Sequence, residues 1–216
     1  MPIAPLSDAS PEYDRPRTTP IAPPALDITS VAEELAPLEA LKKLIACPDL
    51  ASKRWVWEQY DHMVMSDTIR RPGGDAAVVR IHGTNRGLAI TTDCTPRYCE
   101  ADPRKGGAQA VAEAWRNLTS VGAKPLAVTD CLNFGNPERA HVMGQFASCI
   151  QGMGDACRAL NFPVVSGNVS FYNETQNTTI QPTPEIGGVG LIENLDRVAS
   201  LALSVEGRAL VLIGET

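Results

Sequence analysis

Between residues 65 and 200 the chain alternates short β-branched runs with two helical stripes, and that order narrows its fold more than any other feature. DAAVVRIHG and GLAITTDC read as two strands of a hairpin, separated by Thr84–Arg86. GGAQAVAEAWRNLTSVGA sets Ala108, Val111, Ala112, Trp115 and Leu118 at helical spacing and stops at Gly122, a residue suited to the turn that ends a helix. KPLAVTDCL reads as a strand. RAHVMGQFASCIQGMGDACRALN carries Val142, Phe146, Ile150, Met153, Cys157 and Leu160 along one side and predicts a long helix. FPVVSGNVS follows as a strand running into the core, and TPEIGGVGLIEN as another, broken by glycines. The order β-β-α-β-α-β-β predicts an α+β domain, a mixed or antiparallel sheet with helices packed on one face.

The flanks differ. Residues 1–30 hold seven of the 17 prolines, a composition that stays extended and solvated and buries no core. In SVAEELAPLEALKKLIACPDL, Leu35, Leu38, Leu41 and Leu44 recur every three residues, which suits short helical turns broken at Pro37. ASKRWVWEQYDHMVM predicts a second helix or turn anchored by Trp55 and Trp57. RRPGG is a turn. At the far end GRALVLIGET starts a further strand and stops in mid-unit. The expected division is residues 1–50 as linker with short helices, 51–203 as the main domain, and 204–216 as the first strand of a following domain.

Composition excludes several classes. The net charge of −6 supplies no basic field for nucleic acid. No run of about 18 apolar residues predicts a membrane span, and Pro-Ile-Ala-Pro after Met1 does not read as a signal peptide. Cys47, Cys94, Cys99, Cys131, Cys149 and Cys157 form no CxxC pair, so free thiols in a reducing cytoplasm are expected.

Three strand ends leave the core and meet polar residues at once: Thr91–Cys94, Thr129–Asn133 and Ser166–Ser170. One such end is an ordinary turn start; three together suggest a shared mouth. Glu113 and Asn117 stand four apart on one helix and project from one side. With Asp93 they offer oxygen ligands of the kind magnesium accepts, although spacing alone favours an ordinary exposed helical pair. Gly167 permits close approach of a ligand to the backbone, or a local bulge. Asn168 offers a neutral oxygen, and Ser170 points to the same side if the chain stays extended. There is no P-loop signature, and the histidines have no recognisable spacing.

Taken as a set, PGGDAAVVRIHG, ITTDCTPRYCEADPRKGG, AVAEAWRNLTSVGAKPLAVTDCLNFGNPE and PVVSGNVSFYNET resemble phosphoribosylformylglycinamidine synthase, in the large ATP-dependent subunit of its bacterial multi-subunit form. The likeness runs from residue 51 to the end. The resemblance implies an aminoimidazole ribonucleotide synthetase N-terminal-like fold, here the second A-type domain of a longer subunit. It implies conversion of formylglycinamide ribonucleotide, ATP and ammonia into formylglycinamidine ribonucleotide, ADP and phosphate in the cytoplasm. The partners implied are a glutaminase subunit and a small bridging subunit. Carried over residue by residue, Asp130 and Gly167 match nucleotide contacts, Asn168 a Mg²⁺ ligand and Ser170 a substrate contact. Asp93, Glu113 and Asn117 match magnesium-holding positions of a second, structural nucleotide site. No catalytic residue is expected within these residues, and the isolated chain is expected to be inactive and to self-associate through its sheet. A nucleotide-binding assembly module, or a small-molecule kinase of the same superfamily, is the alternative reading.

Overall fold

The computed structural model describes residues 2–27, 29, 35–59, 62, 64–176, 178–202, 206, 207, 209, 211, 212 and 214. Helices α1 (Ile3–Asp8), α2 (Pro37–Ile45) and α3 (Arg54–Trp57) come first. The strands β1 (Thr68–Arg70), β2 (Ala77–Arg80) and β3 (Gly87–Asp93) follow, then α4 (Pro96–Ala101) and α5 (Pro103–Ser120). After β4 (Lys124–Asn133) come α6 (Ala140–Leu160), β5 (Val164–Ser170), the short pair β6 (Glu174–Thr175) and β7 (Thr178–Thr179), and β8 (Thr183–Ile192).

Among the described residues six strands form one sheet in the order β1-β2-β3-β8-β4-β5. β1 pairs antiparallel with β2, and β2 antiparallel with β3 in the register Ala77↔Ile90. β4 and β5 run parallel, with Asp130 opposite Gly167 and Cys131 opposite Asn168. The mixed α+β sheet expected from the run order is therefore present. Helix α6 bridges β4 and β5 because two parallel neighbours need a long crossover.

The chain's contacts group into two compact units. The first comprises Met1–Glu34, Thr92–Trp115 and Ala127–Gly188. Its core joins Ala110, Val111 and Ala114 of α5, Val142, Cys149 and Met153 of α6, Val128 and Leu132 of β4, and Ile186 of β8. Burial alternates along β4 and β8, since successive strand side chains point to opposite faces. Along β8 one face is buried, through Pro184 and Ile186, and the other, carrying Glu185 and Gly187, is more open, whereas β5 is exposed on both faces. The second unit comprises Leu35–Thr91, Arg116–Leu126 and Val189–Thr216, with Val78, Ala89, Leu118 and Ile192 buried. There Asp75 accepts a hydrogen bond from the Ser120 hydroxyl (2.8 Å), and Asn85 donates to Asn194 and Asp196 (both 3.0 Å).

Several expectations need correction. FPVVSGNVS does not run into the core: β5 is an edge strand, and Val165 is 70% exposed. Pro37 starts α2 rather than breaking it, because a proline at the first helical position has no N–H to lose. Trp55 is exposed rather than an anchor, while Trp57 packs edge-on against His62, ring centroids 5.2 Å apart. Tyr60, Asp61 and Met63 of that stretch lie outside the described residues, as do residues 30–34. The hairpin loop spans residues 81–86, longer than the three residues expected. The described residues of 204–216 form no strand, and residues 203–205, 208, 210, 213, 215 and 216 lie outside the description.

The proline-rich start holds one short helix, α1, and an extended strap after it. The strap lies on α6: the Thr18 N–H donates to the Ala140 carbonyl (3.0 Å), and Arg15 stands 3.7 Å from Glu138.

Candidate functional site

On the open face of the first unit lies a trough of about 440 Å³. The ends of β3 and β8 contribute Thr92, Glu185 and Gly187; β4 and β5 contribute Thr129–Cys131 and Ser166–Asn168. Strand alternation explains the set. Thr129 and Cys131 share a side on β4, Ser166 and Asn168 share it on β5, and Glu185 and Gly187 occupy the exposed positions of β8. The Ser166 hydroxyl donates to the Thr129 hydroxyl (2.8 Å) and fixes this wall. Two of the three strand ends singled out in the sequence thus meet in one depression, with Thr92 added from the third.

The same alternation separates residues expected to converge. Asp130 and Gly167 sit one position out of phase with Asn168, so their side-chain direction is the opposite face. The side chain of Asp130 lies over Gly167, where an added Cβ would overlap the carboxylate. Partial burial raises the Asp130 pKa above its ordinary value. Asp130 in turn helps to raise the pKa of the Cys157 thiol on α6, second to burial. Asp130, Gly167 and Asn168 all line the trough.

Ser170 stands just past the trough, opposite Asn133. Its surroundings are dense with hydrogen bonds. Asn173 Nδ2 lies 3.0 Å from the Phe134 carbonyl, 2.9 Å from the Ser170 carbonyl and 3.1 Å from Ser170 Oγ. Glu174 accepts from the Asn136 N–H (3.0 Å) and pairs with Arg139 (3.1 Å). Tyr172 donates to Glu138 (3.1 Å).

Asp93 and Glu113 belong to the first unit and Asn117 to the second, and both Asp93 and Asn117 take part in interactions within the fold. Glu113 and Glu185 both act on Cys94, whose thiol is pushed up to about 12, by burial first and then by the charges of Cys99, Glu185 and Glu113. Among the described residues no cluster of three or more His, Cys, Asp or Glu side chains is arranged to hold a metal. Beside the hydroxyls of Thr92, Thr129 and Ser166, the trough is lined by the oxygen-bearing residues Asp130, Asn168 and Glu185. That small hard-donor set fits magnesium, which keeps waters and takes phosphate oxygens for the rest.

Sequence reasoning missed Glu185 and Asn173. The alternation of PTPEIGG marks Glu185 as outward-facing, but nothing local says which outward face matters. Asn173 follows Tyr172, whose φ of 60° turns the chain back toward β4, a bend that the sequence does not announce.

A family model described as AIR synthase related protein, N-terminal domain, matches residues 73–192. The phosphoribosylformylglycinamidine synthase subunit PurL of Bradyrhizobium sp. strain BTAi1 is 60% identical over all of this chain. The chain spans 29% of that relative's length. Two solved Thermotoga maritima PurL structures also match. The one complexed with ATP has a TM-score of 0.61 at 38% identity, covering 69% of this chain and 24% of that one. The one complexed with FGAR has a TM-score of 0.62 at 39% identity, with the same coverage of each chain. No helix of the described residues is long and apolar enough to cross a membrane.

Proposed function

We propose, from the premise that this chain belongs to the AIR synthase related protein family, that it supplies one nucleotide-binding domain to an ATP-dependent carbon–nitrogen ligase of purine biosynthesis. The reaction is the conversion of formylglycinamide ribonucleotide and ammonia to formylglycinamidine ribonucleotide, with ATP going to ADP and phosphate. The observation that carries the reading is identity of 60% along the whole chain to a PurL subunit. The related structures complexed with ATP and with FGAR support the two ligands.

In this reading Asp130 and Gly167 contact the nucleotide, and Asn168 holds Mg²⁺ at the open face with Glu185 beside it. Magnesium neutralises phosphate charge when bound; the chain's own part is to hold and orient. Ser170 contacts the ribonucleotide. Asp93, Glu113 and Asn117 belong to a second, structural nucleotide site. In this reading residues 1–50 are the linker with short helices, 51–203 the A-type domain, and 204–216 the start of a following B-type domain. The isolated chain is inactive, and the working assembly adds a glutaminase subunit and a small bridging subunit in the cytoplasm.

Thermal unfolding with ATP and Mg²⁺ tests the reading. A ligand at about 100 times its Kd stabilises by roughly 2.7 kcal/mol. Wild type is expected to shift upward and Asn168→Ala to shift less. Equal shifts in the two remove Asn168 from the site.

A further inference from the structure

We infer that Asn173 is a positioning residue for the ribonucleotide: it takes the proton of the Ser170 hydroxyl and so leaves an Oγ lone pair facing the ligand. The inference rests on the assignment of Ser170 to substrate proposed above. Asn173 Nδ2 has two hydrogens and three acceptors in reach, the carbonyls of Phe134 (3.0 Å) and Ser170 (2.9 Å) and Ser170 Oγ (3.1 Å). Its other amide atom, Oδ1, is 3.3 Å from Ser170 Oγ, the longest of these contacts. A hydroxyl that accepts from Nδ2 keeps its own proton for an outside oxygen. A hydroxyl that donates to Oδ1 has spent it. The two carbonyls lie closer to Nδ2 than Oγ does and take its two hydrogens, which selects the second state: Oγ donates to Oδ1 and keeps its lone pairs for a donor on the ligand, such as a ribose hydroxyl.

The amide is itself held. The Asn173 N–H donates to the Phe134 carbonyl (3.2 Å), and the Asn173 carbonyl accepts from Ile180 N–H (3.1 Å). The Phe134 N–H donates to the Ser170 carbonyl (3.0 Å), so one side chain ties together the ends of β4 and β5. Next to it Glu174 binds Asn136 and Arg139, and its side chain is 17% exposed. A rigid frame of this kind fixes a hydroxyl rather than merely filling space.

The test is a double-mutant cycle in the full-length subunit that carries this domain, assayed with free ammonia. Ser170→Ala, Asn173→Ala, Asn173→Asp and the double variant Ser170→Ala/Asn173→Ala are compared. Each is first checked by thermal unfolding for a folded population equal to wild type under assay conditions. Loss of one such contact is expected to raise KM for the ribonucleotide about threefold to tenfold, with KM for ATP and kcat little changed. Asn173→Ala is expected to add nothing once Ser170 is already alanine. Asn173→Asp, which keeps an acceptor for the Ser170 proton, is expected to do less harm than alanine. If Ser170→Ala leaves KM unchanged, the substrate assignment of Ser170 falls. If Ser170→Ala raises KM but Asn173→Ala does not, or if the two effects multiply in the double variant, the positioning role is overturned while the substrate assignment stands.

Discussion

A methyl group at Gly167 would overlap the Asp130 carboxylate and stand 3.0 Å from its carbonyl oxygen. The carboxylate must swing aside, and the carbonyl belongs to a paired strand whose backbone is held. Gly167→Ala is expected to cost about 1–3 kcal/mol in urea unfolding, and Asp130→Gly in the same chain to recover part of it. Asp130 has its own signature. Its folded pKa is raised by burial above the ordinary 3.8, so the folded state resists deprotonation more than the unfolded chain does. Its contribution is therefore fully present below the unfolded pKa and is lost as pH rises through the folded value. Asp130→Asn is expected to unfold at higher urea than wild type at about pH 7, with the difference vanishing near about pH 3.5. Cys94, pushed up to about 12 by burial and neighbouring charge, is expected to alkylate far more slowly than a free thiol at about pH 8. A rate equal to that of free cysteine, read by peptide mass spectrometry, contradicts this. At this scale the sequence shows residue types well. It shows that Asp130 and Asn168 are polar ends of strands, but strand phase relative to a partner decides which face each takes.

The element that sequence reading most misjudges is the proline-rich start. Its composition correctly forbids a core of its own, yet the strap is seated on α6. Thr18 lies against Gly144, and a Cβ there would overlap the Thr18 carbonyl. Gly144→Val is expected to lift the strap without unfolding α6, whose capping at Asn161 in the left-handed region is remote. Trypsin cleavage after Arg17 should then accelerate severalfold while helical circular dichroism holds. An unchanged cleavage rate shows that the strap is not held there. Strands β2, β3, β4 and β8 and helices α5 and α6 were legible because each carries a full period of burial. Strand β5 was legible as a strand but not as an edge, because Val164 and Val165 look the same in sequence whether or not a neighbour covers them. The short pair β6 and β7 was not legible at all, since two residues carry no period.

For the whole molecule, β5 ends the sheet with Val164, Val165 and Val169 exposed on an unpaired edge. Exposed apolar edges associate. The isolated chain is expected to show concentration-dependent association by sedimentation, reduced by Val165→Lys, and a single monomeric species at high concentration contradicts this. What the sequence determined by itself was the order of its elements, the oxygen-rich strand ends and the family, because periodicity and long contiguous motifs are local properties of the chain. What only the tertiary structure decided was the company each side chain keeps. Register set Asn168 beside Thr129, Ser166 and Glu185 and turned Asp130 to the covered face, and the backbone bend at Tyr172 brought Asn173 onto Ser170. Those are relations between segments far apart in sequence, fixed by hydrogen-bonded pairing rather than by the residues' own preferences.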